Sequence, residues 1–143
     1  MKNQQRKVLF LCTGNSCRSQ MAEALVNNCL GDQWLAVSAG TKPAGFVHPK
    51  AIQVLAEWNI IHHGESKLVD LFQDWEFDLV VTVCDSAAEE CPVWLGNGIQ
   101  VHHSFSDPAE ATGTEEEILS EFRMVRDAIA EKIPTLLQTY SPE

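Results

Sequence analysis

The chain has 143 residues, 20 acidic against 10 basic side chains, a net charge of −10 and a hydrophobic content of 45%. That length suits one domain with a substantial core, spanning residues 1–143, and the acidic balance without a basic cluster speaks against nucleic acid as a partner. The N-terminal apolar run, Val8 to Cys12, is too short for a signal peptide's central segment or a membrane span. The expectation is a cytoplasmic monomer with no membrane partner, whose five cysteines are kept reduced, so that any disulfide is transient and catalytic.

Lys7–Cys12 reads as a buried strand, and it runs into Cys12-Thr13-Gly14-Asn15-Ser16-Cys17-Arg18-Ser19. A thiol ends the strand, mostly small residues follow, and an arginine opens the next helix. This pattern makes a cradle for a tetrahedral oxyanion with a nucleophile at its base. Backbone N–H groups from Thr13 to Cys17 and the positive end of the helix dipole point at the anion, and Arg18 grips two oxygens. The same field favours thiolate over thiol at Cys12. Ser19 serves either as a hydrogen-bond donor to that thiolate or as a plain helix cap. Because an acidic protein repels an oxyanion at long range, these local donors must do the binding.

Arg18–Leu30 has helical spacing, with Met21, Leu25 and Cys29 on one face and Gly31 as its stop. Cys17 and Cys29 are expected to pack rather than react. Leu35–Ala39 is a second strand. Pro49 opens a helix to about Trp58, with Ile52, Leu55 and Ala56 turned inward. Phe77–Cys84 is a near-continuous apolar run, as a parallel sheet covered on both faces requires, and Ile99–Phe105 is a fourth strand. Thr114 and Glu117 form a capping box for the last helix, whose core stripe is Ile118, Phe122, Val125, Ile129 and Ile133; Pro134 should kink or end it. The histidine pairs His62-His63 and His102-His103 fall in loop and strand positions, and the four tryptophans in core or rim.

Strands separated by helical crossovers define an α/β fold: a small doubly wound domain with a four-stranded parallel sheet flanked by helices. Ligands bind beyond the C-terminal ends of such strands. Cys12, Cys84 and Asp107 all lie at or just past those ends, which is the reason to treat them as one site.

Cys-x5-Arg-Ser near the start of the chain resembles the low-molecular-weight protein tyrosine phosphatase superfamily. Cys-Thr-Gly-Asn-Ser-Cys-Arg-Ser-Gln-Met-Ala-Glu-Ala is more closely similar to its thioredoxin-coupled arsenate reductases, and the likeness runs from about Lys7 to Ile133. The resemblance implies a low-molecular-weight phosphatase-like fold and reduction of arsenate to arsenite, with phosphate or sulfate as analogues of the substrate. It implies a relay in which Cys12 attacks arsenate, Cys84 attacks Cys12, and Cys91 attacks Cys84. No cofactor is then bound, and electrons come from thioredoxin. It further assigns Asp107, in Ser-Asp-Pro-Ala-Glu, as the general acid for the departing hydroxyl, and Ser19 as a donor to Cys12. The Asp-Pro pair is followed by Ala109-Glu110 rather than the aromatic residues that sandwich phosphotyrosine in the superfamily's phosphatases.

In Thr-Val-Cys84-Asp-Ser-Ala-Ala-Glu-Glu-Cys91-Pro, Asp85 and Ser86 suit helix caps and the residues after them favour a short helix. Seven helical residues rise about 10.5 Å, whereas a disulfide needs Cα atoms within about 7 Å. If Cys84 and Cys91 are a redox pair, this segment must loop out. A zinc site fits poorly, since there is no Cys-x2-Cys pair. Two rivals stand beside the reductase: a phosphatase working through a phosphocysteine, which has no use for Cys84 and Cys91, and a thiol redox sensor, which has no use for Arg18 and an anion cradle. Some of the resembling reductases hold a potassium ion beside the loop. The matching positions here are Asn15, Glu23 and Ser38, with Lys67 where an acidic residue is expected, so potassium is not expected to be needed; the competing view has Glu65 swing in as the ligand.

Overall fold

Residues 5–84 and 94–140 are described by the computed structural model of the chain. Within them β1 (Arg6–Cys12), β2 (Trp34–Gly40), β3 (Leu79–Thr82) and β4 (Ile99–His102) form one parallel sheet in the order β2-β1-β3-β4. The α-helices α1 (Arg18–Cys29), α2 (Pro49–Ala56) and α3 (Glu115–Thr139) follow β1, β2 and β4. Parallel neighbours cannot be joined by a tight turn, so each connection must cross the sheet. The α/β doubly wound expectation is met.

Alternation along β1 divides the core. Val8, Phe10 and Cys12 join the residues of the three α-helices in one cluster, while Leu9 and Leu11 join Phe72, Phe77, Val80 and Trp94 in a second. That second face is sealed by aromatic edges, with Phe77 against Trp94 at 5.7 Å and Phe72 against Trp75 at 4.9 Å between ring centres. Because β2 lies on one side of β1 and β3 on the other, the connections diverge at the β1–β3 boundary. This switch point is where an open α/β sheet leaves a crevice beyond its strand ends. Cys12 lies at its floor.

Several local expectations need correction. In α2 the buried residues are Ala51, Val54 and Leu55, whereas Ile52 and Ala56 are exposed. The phase is set at the start, where Pro49 opens the helix and the His48 ring accepts the Lys50 N–H at 3.1 Å. The first helix buries Met21 and Leu25 as expected, but Cys29 is exposed, because the last turn of α1 runs beyond the edge of the core. Pro134 does not end α3, which continues to Thr139. Ile133 and Leu137 on either side of it are buried, and that packing outweighs the lost backbone hydrogen bond. The third and fourth strands are shorter than expected, at four residues each. The capping box is present: Thr114 Oγ1 accepts from the Glu117 N–H and the Glu117 carboxylate from the Thr114 N–H. Trp34 is in the core, while Trp58 and Trp75 sit at the rim. Among the described residues no helix is long and apolar enough to cross a membrane.

One glycine couples fold to site. Gly40, at the end of β2, pairs with Cys12 and donates its N–H to the Lys67 carbonyl at 2.9 Å. A Cβ there would overlap the backbone carbonyl oxygens of Thr13 and Cys12, which cannot retreat as a flexible side chain could. Gly40→Ala should therefore lower stability in urea unfolding by about 1–3 kcal/mol, the usual range for overpacking.

Candidate functional site

The loop 13–17 between β1 and α1 owes its shape to where its carbonyls point. Thr13 O accepts from Lys42 N at 3.0 Å, Gly14 O from Ala44 N at 2.9 Å and from Ser66 Oγ at 3.1 Å, and Ser16 O from His48 N at 2.9 Å. Asn15 O accepts from the Gln20 side-chain amide at 3.1 Å, and Cys17 O from Met21 N at 2.9 Å. In a trans peptide the C=O and the following N–H point in opposite directions. Five carbonyls turned outward therefore turn the N–H groups of residues 14–18 inward. That is the orientation an anion cradle requires, and α1 begins at its edge.

Asn15 fixes the turn. It is fully buried with φ of 50°, a left-handed conformation that Asn tolerates better than most residues. Its Oδ1 accepts from Lys67 N at 2.7 Å and from Gln20 Nε2 at 3.0 Å, and its Nδ2 donates to Ser19 Oγ at 2.8 Å. Ser19 Oγ lies 2.9 Å from Cys12 Sγ. Of the two roles open to Ser19, the contact with Cys12 is the one observed; no side-chain cap is made at the start of α1 by its N-cap residue, Cys17.

Arg18 is almost fully buried. Its guanidinium donates to the Phe105 carbonyl at 3.2 Å and lies 3.5 Å from Asp107 Oδ2. Asp107 caps a short 3-10 turn, Pro108–Glu110, by accepting from Ala109 N at 3.0 Å, so one carboxylate oxygen is held by the backbone and the other faces the arginine. The segment reaches the loop because the chain after β4 follows β3 past its end, with Phe105 N donating to Val83 O at 3.3 Å.

The register Leu11↔Thr82 puts Cys12 beside Val83, with Cys84 one residue further along. Cys12 and Cys84 belong to the same core cluster. Cys84 is buried and disulfide-bonded, while Cys12, Cys17 and Cys29 are free thiols. Cys91 and the helix expected around Asp85 and Ser86 lie outside the described residues. Cys17 is a different kind of thiol from its loop neighbours' role: burial is the main cause that pushes it up to about 12, with Asp107 and Cys12 adding to the rise and Ser16 and Arg18 opposing it. It stays protonated, in keeping with a packing role.

Glu23, Ser38 and Lys67 form a cluster beneath the loop. Ser38 Oγ donates to Glu23 Oε1 at 2.7 Å, Lys67 Nζ lies 3.6 Å from the same oxygen, and Nζ also donates to the Glu65 carbonyl at 2.7 Å. The Glu65 residue is exposed. An ammonium thus lies against the Glu23 carboxylate, at the positions matched to a cation site in the sequence. Sequence reading did not single out Gln20, His48, Ser66 or the Phe105 carbonyl. Gln20 is the one with a signal: a polar residue on the face of α1 that also carries Met21 and must be buried.

The family model described as low molecular weight phosphotyrosine protein phosphatase matches residues 7–143, and the chain belongs to that family. Within it, the chain is 45% identical over 136 residues to the arsenate reductase of Halalkalibacterium halodurans, covering 94% of this chain and 97% of that protein. It is 42% identical over 133 residues to the arsenate reductase of Bacillus subtilis, covering 92% and 95%. Among solved structures, an arsenate reductase in the phosphate binding state superposes with a TM-score of 0.76 at 28% identity, covering 96% of this chain and 100% of that one.

The Cys17 thiol has a stability consequence. Its folded value of about 12 stands above the ordinary 9.0, so between those limits the unfolded chain sheds the proton and the folded chain keeps it. The contribution is complete below pH 9 and is lost as pH rises toward 12. Urea unfolding across the alkaline range should show a steeper loss of stability for the wild type than for Cys17→Ala.

Proposed function

We propose that this protein is an arsenate reductase that uses its own thiols as the reductant. The observation that carries the reading is Cys84: it lies two residues past the end of β3, one residue beyond the level of Cys12, in the same buried cluster, and is engaged in a disulfide while Cys12 is free. A phosphatase working through a phosphocysteine has no use for that second sulfur. The segment after Asp107 also gives no aromatic wall for a phosphotyrosine ring.

Arsenate is held by the inward amides of the loop and by Arg18. Cys12, as thiolate, attacks the arsenic, and one hydroxyl leaves as water after taking a proton from Asp107. The Asp107–Arg18 pair brings acid and anion clamp to the same edge of the loop. Cys84 then attacks Cys12 Sγ. The sulfur–arsenic bond breaks, its electron pair stays on arsenic, and arsenite departs, leaving a Cys12–Cys84 disulfide. Cys91 attacks Cys84 and frees Cys12 as thiolate. Thioredoxin, whose dithiol is oxidised as the Cys84–Cys91 disulfide is reduced, completes the cycle.

The test is arsenate-dependent NADPH oxidation with thioredoxin and its reductase, or glutaredoxin, supplied in turn. Turnover with thioredoxin is expected; arsenate-independent phosphate-ester hydrolysis as the sole activity would overturn the reading. Cys91→Ser should turn over once and stop with a Cys12–Cys84 bond, seen by peptide mass. Asp107→Asn should lower kcat by about 10²–10⁴, the usual contribution of a general acid. In the reduced protein, iodoacetamide should label Cys12 fastest of the five cysteines, with phosphate protecting it.

Lys67 supplies the positive charge beneath the loop in place of a potassium ion. Arsenate kinetics in sodium and potassium buffers of matched ionic strength should coincide, and Lys67→Asp should create a potassium dependence. A several-fold loss of apparent arsenate affinity in sodium for the wild type would reject this role.

A further inference from the structure

Behind the loop, on the side away from the anion, a fully buried glutamine meets a half-buried histidine. Gln20 Nε2 faces three carbonyl-type oxygens: Asn15 O at 3.1 Å, Asn15 Oδ1 at 3.0 Å and Glu65 O at 2.7 Å. All three are acceptors, so the atom facing them must be the amide nitrogen, and Gln20 Oε1 is turned to His62 Nε2 at 2.7 Å. Oε1 can only accept. His62 must therefore donate, which fixes the proton of the neutral ring on Nε2.

The next links are oriented by the same logic. Asn15 Oδ1 accepts from the Lys67 backbone N–H, so its amide nitrogen is the atom that donates to Ser19 Oγ. Ser19 Oγ, already accepting from Asn15, has its own hydrogen to give, and Cys12 Sγ is 2.9 Å away. Four hydrogen bonds thus run head to tail from His62 through Gln20, Asn15 and Ser19 into Cys12. Each donor polarises the next, and chains of this kind in a low-dielectric interior strengthen cooperatively. The terminal bond favours the anionic sulfur, because hydrogen bonding to the charged form stabilises that form.

We propose that His62 and Gln20 are positioning residues for Cys12, which extend and polarise this hydrogen-bond chain so that it ends in a strengthened donor at the sulfur. His62 lies outside the loop motif and outside the anion cradle, and it acts through three intermediate side chains. The charged and titratable groups around it are Glu23 on α1, and Lys67 and His63 on its own connection; burial is the main cause that lowers its pKa, with Lys67 and His63 adding to this and Glu23 opposing it. The ring is accordingly neutral at neutral pH. Protonation would add a charge at the far end and keep the Nε2–H in place. Loss of the donor, or a proton on Nδ1 alone, would leave Gln20 Oε1 buried without a partner and remove its polarisation of the links to Asn15, Ser19 and Cys12.

The inference rests on Cys12 as the nucleophile, and its test reads the sulfur directly without arsenate, so its failure would leave arsenate reduction standing. The reduced full-length protein is alkylated with iodoacetamide across the neutral range, and the Cys12 rate is followed by peptide mass. His62→Ala should raise the midpoint of the Cys12 rate profile by about half a unit to one unit, or roughly three- to tenfold less thiolate on the acid side. His62→Gln, which keeps an N–H donor, should recover most of the shift. In a Ser19→Ala background, where the chain is already cut, His62→Ala should add nothing further. An unchanged midpoint in His62→Ala, or an equal shift in both backgrounds, would overturn the proposal. Should His62→Ala fail to fold, ¹⁵N spectra of the wild-type ring decide: the Nε2-protonated tautomer is expected, and the Nδ1-protonated one would overturn the chain's direction.

Discussion

The left-handed backbone at Asn15 is the constraint on which the site depends. A five-residue turn can point its amides inward only if its carbonyls find partners outside, and here those partners come from three separate stretches of chain: 42–48, 65–67 and the first turns of α1. Asn15 contributes twice. Its backbone makes the reversal, and its side chain is bonded on three sides, so the conformation is over-determined rather than strained into place. The donors of the cradle are in this way pre-aimed before any anion arrives, and little reorganisation remains to oppose charge developing there.

The strongly acidic composition gains meaning against this local arrangement. A net charge of −10 gives an approaching oxyanion no help from distance. Binding has to come from groups within a few ångströms, and the positive charges beside the loop are each tied: the buried Arg18 to Phe105 and Asp107, the part-buried Lys67 to Glu23 and the Glu65 carbonyl. Burial strengthens such interactions because screening by salt and water is reduced. Burial also separates two sulfurs that are near in sequence. Cys17 is held as a thiol, while Cys12 lies at the strand end under the helix N-terminus with Ser19 beside it.

Much of this was legible in the sequence because the features concerned are local. The strand–loop–helix transition at Cys12 to Arg18, the parallel-sheet apolar run at Leu79–Thr82 and the capping box at Thr114 each follow from residues within a few positions of one another. The failures are tertiary. Ile52 looked inward on an apolar count, but the face of α2 that meets α3 is set by where His48 and Pro49 start the helix. Pro134 looked like a stop, and packing on both sides of it carried α3 onward. Cys29 kept a core-like spacing one turn after the core had ended. The pairing of Gln20 with His62 was illegible for a similar reason. It is a contact between residues 42 positions apart, and no local pattern reports it.

The cradle is stitched from segments that are distant along the chain. It starts at Cys12, its outer fastenings extend to Lys67, and the bond from Arg18 to Phe105 spans 87 residues. Contacts of such separation form late, after the loops between them have been closed. During synthesis, the first sixty or so residues emerge with Cys12 present but with neither the fastenings at 65–67 nor Asp107 available, since N-terminal segments appear first. An emerging chain therefore carries an ordinary cysteine. The sulfur acquires its special environment only when the fold is nearly complete, so that readiness to react is itself a report that folding has finished.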